Sequence, residues 1–270
     1  MTMFRKEKAH WRELDPALAP KLSNARLQLH HAAQFVACMG ISYLPKAEDD
    51  SHTNMEWING TLAGHVVGPR PFRLAGRPHP LALVVIVGDV DLASFALGGR
   101  TIADGAGWIR AQARSLGLDP ARYSLAKHYT IPTHPVDRGV PFDTSDARAF
   151  EQLALWYSNA NLAFAGMADD GGSPVRCWPH HFDIATLLTI APGKTVGVGL
   201  EPGDVYYDEP YWYVNSYPAP AKPPTARLEG GGSWHTHEWT GAVLPGSRLS
   251  AGDQRAQVER FLNSAIEASS

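Results

Sequence analysis

Two short stretches of the chain hold residue types able to move a proton or bind a metal ion: Trp178-Pro179-His180-His181-Phe182-Asp183 and His235-Thr236-His237-Glu238. Read as extended chain, the first turns His181 and Asp183 to one face and His180 and Phe182 to the other, because successive side chains of a strand alternate. A histidine beside a carboxylate is a general base oriented by its neighbour, and the same two side chains are metal ligands. His235 and His237 repeat the spacing on the last expected strand, with Glu238 on the opposite face. Together His181, Asp183, His235 and His237 form a four-ligand set suited to zinc or to mononuclear iron. The plain alternative is that these histidines are satisfied structural side chains. No cofactor is required by the sequence, which holds no His-Glu-x-x-His, paired Cys-x-x-Cys, calcium-loop, nucleophile-elbow or P-loop pattern.

Around these stretches, Trp178, His180, Trp57 and Tyr213 are candidates to wall a ligand pocket. Glu201, Asp204, Asp208 and Glu209 lie among Tyr206, Tyr207, Tyr211, Trp212 and Tyr213, the densest mixture of acids and aromatics in the chain. Such a mixture stacks on flat ligands, or else forms core aromatics beside a solvated turn. Cys177 lies close to His180, yet both it and Cys38 read as free, buried thiols, because two cysteines cannot build a disulfide framework.

The elements that must position these residues follow from periodicity. Leu27, His31, Phe35 and Met39 fall at helical spacing over 21–41, with Asn24 a candidate cap and Gly40 a candidate stop. Four strands are expected at 56–67, 71–74, 81–87 and 92–97, and a helix capped by Thr101 follows to about residue 116. The order then recurs: a helix over 143–164 ended by Gly166, strands at 175–190, 195–200, 210–217 and 233–243, and a last helix from near Ser250. Trp57 and Trp178 each open the first long strand of their half. The expected fold is therefore α+β, with a short N-terminal segment (1–20) and two similar halves (21–142 and 143–270) forming one compact unit. Each half is a helix, a four-stranded antiparallel meander and a helix, an arrangement expected from internal duplication. Two such halves favour a pocket at their junction.

Composition narrows the partners. With 270 residues, 44% hydrophobic and 19% charged, the chain has enough apolar sequence for a core without metal or disulfide. A net charge of -3, with basic residues clustered only at Arg5-Lys6-Glu7-Lys8, argues against nucleic acid and anionic membrane. The apolar runs 81–87 and 184–191 are too short to span a bilayer, and the N-terminus has no apolar signal core. A cytoplasmic, bacterial-type protein, monomeric or homodimeric, is expected.

The chain also resembles the bacterial domain of unknown function 5996 family. The residues that carry the likeness run in order through most of its length: Trp11-Arg12-Glu13-Leu14, the glycine-rich step to the middle helix, Ile131-Pro132, and Val140-Pro141-Phe142-Asp143. Phe182-Asp183-Ile184-Ala185 and Tyr213-Val214-Asn215-Ser216-Tyr217-Pro218 complete the set. The resemblance implies a cytosolic protein of this layout and brings no assigned activity. It also implies that the Phe-Asp pair is retained where small residues replace His180 and His181, which moves the emphasis to Asp183. The expected function is binding or transformation of a small molecule near the junction, with Asp183 and His181 as the acid–base pair. The alternatives are a metal-dependent enzyme at the four-ligand set, and a non-catalytic interaction protein using the 211–217 strand and the proline-rich loop 218–224.

Overall fold

The computed structural model describes residues 10–222 and 224–269; the charged 5–8 stretch and Pro223 lie outside them. In chain order the first elements are α1 (Ser23–Tyr43), β1 (Glu56–Ile58), β2 (Thr61–Ala63), β3 (Arg73–Arg77), β4 (Ala82–Val87), β5 (Val90–Ala96) and α2 (Ile102–Ser115). Then come α3 (Ala147–Asp169), β6 (Arg176–Cys177), β7 (Ile184–Ala191), β8 (Lys194–Glu201), β9 (Tyr211–Tyr217), β10 (Ser233–His235), β11 (Gly241–Pro245) and α4 (Gln254–Ser269).

The architecture is α+β, with two antiparallel sheets ordered β1-β2-β3-β4-β5 and β10-β11-β9-β8-β7-β6. The expected four strands per half become five and six. Asn59 and Gly60, both at positive φ (48° and 77°), form a two-residue hairpin turn that splits 56–67 into β1 and β2. The expected strands 175–190 and 233–243 are likewise each broken into two by a turn. The sheets meet edge to edge, where Met55 and Cys177 exchange backbone hydrogen bonds of 2.9 and 2.8 Å.

Helix α1 is enclosed on every side, since every residue from 28 to 40 is buried. It packs on β2 and β3 of the first sheet and against α3, while α3 and α4 cover one face of the second sheet. Gly40 does not stop it: the helix runs on to Tyr43, and the missing side chain lets the His52 carbonyl pass close by. Gly166 likewise lies inside α3, which ends at Asp169, and α4 begins at Gln254, later than Ser250. The Thr101 cap holds as expected, closing a capping box with Asp104 at the start of α2.

A helix buried on all sides must satisfy its polar side chains within the protein. Gln28 exchanges bonds of 2.7 and 2.6 Å with the backbone of Asp143. His30 Nε2 and Gln34 Nε2 both donate to the Pro179 carbonyl, at 2.8 and 2.9 Å. Burial lowers the His30 pKa to about 3, so its ring is the neutral Nε2–H tautomer that this carbonyl requires. Gln34 Oε1 in turn accepts from the Tyr129 hydroxyl at 2.9 Å. Replacing Gln34 by leucine removes one of the two donors to Pro179 and strands the Tyr129 hydroxyl. We expect Gln34→Leu to lower the unfolding free energy by about 1–3 kcal/mol, read as a fall in the urea midpoint at unchanged slope.

Candidate functional site

The chain between β6 and β7 is a turn and not a strand. Cys177 ends β6, Ile184 begins β7, and between them Trp178 N–H donates to the Asp183 carbonyl at 3.0 Å and Phe182 N–H to the Trp178 carbonyl at 2.6 Å. Pro179 has no N–H to give a ladder, and Phe182 takes a φ of 76°. Two further contacts hold the turn: the Tyr157 hydroxyl donates to the Phe182 carbonyl at 2.6 Å, and the Phe182 ring stacks on His30 at 4.5 Å. The expected split of His180 and His181 onto opposite faces is therefore overturned. Both line one cleft, their rings 4.4 Å apart.

That cleft, of about 680 Å³, lies where the two sheets meet. Ser51, Asn54 and His65 approach it from the first half, and Arg176, Trp178, His180, His181 and Asp183 from the second. Its floor is the open face of the second sheet, with Ala185 and Leu187 of β7, Gly197 of β8, and Tyr213 and Asn215 of β9. Register explains the floor. Gly199 stands opposite Tyr213 and Gly197 opposite Asn215, and a side chain on either glycine would collide with the tyrosine ring or the amide. Without those side chains, the Tyr213 ring lies across β8 and its hydroxyl donates to Asp183 Oδ2 at 2.5 Å.

Asp183 is 8% exposed, and its Oδ1 has no hydrogen-bond partner. Burial pushes its pKa above the usual carboxylate range, against the opposing pull of the Tyr213 bond and of His181. Burial and the Asp183 charge together hold the Tyr213 hydroxyl protonated. His180, half-buried beside His181, has its pKa lowered by desolvation first and by that neighbour second. A buried acid with an unused oxygen, a phenol on its other oxygen and two imidazoles nearby can give or take a proton from a molecule seated in the cleft.

The other expected site residues are elsewhere. β10 ends at His235, so His237 and Glu238 lie in a turn and the His-x-His strand does not form. His235 Nε2 donates to the His237 carbonyl at 2.7 Å, its ring stacks on Trp239 at 4.4 Å, and its Nδ1 meets the Tyr207 hydroxyl at 3.0 Å. The set His181, Asp183, His235 and His237 is not brought together. Among the described residues no group of three or more His, Cys, Asp or Glu side chains is placed to hold a metal ion. Trp57 is stacked on Tyr157 at 5.4 Å and packs against the core, away from the cleft lining. Cys177 is fully buried and burial raises its pKa well above the ordinary thiol value, so it is a core thiol; Cys38 is likewise raised, to about 11.

The acid–aromatic cluster also resolves. Asp204 accepts the Tyr211 hydroxyl at 2.7 Å and the backbone N–H groups of Tyr206 and Tyr207, Glu209 accepts from Ser247, and Trp212 is core. Glu201 differs from those turn acids, being 6% exposed with an unpartnered Oε1. Its burial, then the charges of Asp183 and Asp204, push its pKa far up.

No family model, curated protein or solved structure matches the chain. No helix among the described residues is long and apolar enough to cross a membrane.

The buried carboxyls set a pH dependence. A carboxyl raised in the folded state contributes stability that is complete below its unfolded value, 4.5 for Glu201, and that is lost as pH rises through the folded value. Glu201→Gln removes this loss, so the variant should gain on the wild type between about pH 5 and about pH 8 in urea unfolding. Equal slopes for the two proteins would contradict the buried state of Glu201. Gly199→Ala drives a methyl group into the Tyr213 ring, and unfolding should show a loss of about 1–3 kcal/mol.

Proposed function

We propose that the cleft binds a small, uncharged molecule and that Asp183 exchanges a proton with it. The observation that carries this reading is Asp183 itself: a buried carboxyl at the cleft wall whose Oδ1 is unused while Oδ2 is held by Tyr213. In the ionised state the Tyr213 hydroxyl stabilises the carboxylate; in the neutral state the carboxyl holds the proton that a ligand in the cleft exchanges. Asn215 and Asn54 offer amides to orient polar groups, and Trp178 offers a flat apolar wall. An uncharged ligand is favoured because Arg176, the arginine on the cleft wall, is paired with Glu56 at 3.2 Å.

We also read the chain as a relative of the domain of unknown function 5996 family. The support is the ordered set of short motifs, of which Phe182-Asp183 supplies the cleft acid and Tyr213 its partner. The two halves are read as copies of one unit, on the basis of their shared helix–sheet–helix order, although the first sheet is a meander and the second places β11 between β9 and β10.

The test is a thermal-shift screen of small uncharged compounds against the wild type and Asp183→Asn. A ligand of the cleft should lose at least about 10-fold in affinity on that substitution, equivalent to about 1.4 kcal/mol, with the melting of the free protein preserved. Ligands that bind both proteins equally would refute the role of Asp183.

A further inference from the structure

A second buried carboxyl, Glu201, lies near enough to Asp183 to feel its charge. The β7–β8 ladder ends on the pair Ile184–Leu200, and Asp183, just before β7, and Glu201, the last residue of β8, each lie one residue beyond that pair. The two share a face, because Glu201 lies two residues beyond Gly199, and it is over Gly199 that the Tyr213 ring reaches Asp183. Each is more than nine-tenths buried, and each has one oxygen, Asp183 Oδ1 and Glu201 Oε1, with no hydrogen-bond partner.

Two neighbouring carboxyls this dry cannot both be anions unless a counter-charge stands between them. Around Glu201, Arg26 of α1 is the cation, and its guanidinium is engaged by the Gly203 carbonyl and by Asp208, with Nη2 at 3.5 Å from that carboxylate. Asp204 adds negative charge from the loop after β8. Around Asp183 the cationic candidate is His181 of the turn. The remaining titratable neighbours are the hydroxyls of Tyr157, Tyr211 and Tyr213 and the thiol of Cys177, all held neutral by burial.

We propose that Glu201 is a positioning residue that stays protonated at neutral pH and shares its proton with Asp183 across the β7–β8 register. One proton then sits between the two unpartnered oxygens, and Tyr213 keeps the other oxygen of Asp183. When Asp183 accepts a proton from a ligand the pair holds two, and when it donates one the pair returns to the shared state. The shared proton stands on the buried geometry alone; its part in proton exchange rests on the acid–base reading of the cleft.

Infrared spectroscopy of the full chain near neutral pH tests the pair without any ligand. The wild type should show the C=O stretch of a protonated, buried carboxyl. That band should vanish in Glu201→Gln and move in Asp183→Asn, because the acid loses its carboxylate partner. ¹³C-glutamate labelling of the unaltered protein should displace the same band, which keeps the assignment open to test if Glu201→Gln does not fold. In Glu201→Gln the apparent pKa of Asp183 should rise by about one unit, a 10-fold change in proton affinity, since an amide is a weaker donor to the anion. A wild type without the band, a band insensitive to ¹³C-glutamate, or a band unmoved in Asp183→Asn would overturn the proposal. A confirmed band together with ligand binding indifferent to Asp183→Asn would uphold the pair and remove only the acid–base reading.

Discussion

The Pro179 carbonyl, gripped by His30 and Gln34 of α1, is the contact on which the site depends. Because α1 is enclosed on all sides, its polar side chains find partners only in the loops that surround it. An unmade bond there would leave a buried donor or acceptor orphaned, which costs more than most single contacts contribute. The helix and the 178–183 turn therefore hold each other in place. The turn in turn decides that His180 and His181 line the same cleft and that Asp183 enters β7 at its wall.

The second sheet is built asymmetrically, and this asymmetry makes the cleft floor. One face carries Val196, Val198, Leu200, Trp212 and Val214, all fully buried beneath helices. On the other face of β8, Gly197 and Gly199 leave a trough into which Tyr213 and Asn215 lean from β9. The same trough removes Asp183 and Glu201 from water without supplying each a full set of partners. Burying carboxyls in this way works against stability, and such sites are where proteins place proton chemistry.

Much of this was legible from residue types and spacing. The N-cap at Thr101, the helices and the antiparallel character of both halves follow from local rules that act within a few residues. Asp183, His181, Trp178, His180 and Tyr213 could be singled out because their chemistry is carried by the side chain itself, and all five line the cleft. The segments 175–190 and 233–243 are not uniform extended chain, since a turn breaks each of them. Alternation of faces holds only where the ladder continues, and Pro179 and the grip of α1 end it at Cys177. The four-ligand metal set failed for the same reason, since His237 is in a turn and His235 packs on Trp239.

The sequence by itself determined the α+β class and the buried state of the two cysteines, and it singled out Asp183, which lies in the cleft lining. Only the tertiary structure decided which side chains meet. Asn54 and His65 reach the cleft from more than a hundred residues away, and the pairing of β7 with β8 brings Glu201 into the neighbourhood of Asp183. Contacts of that kind depend on how strands align and on what a buried helix must hydrogen-bond, and neither is written in the spacing of neighbours along the chain.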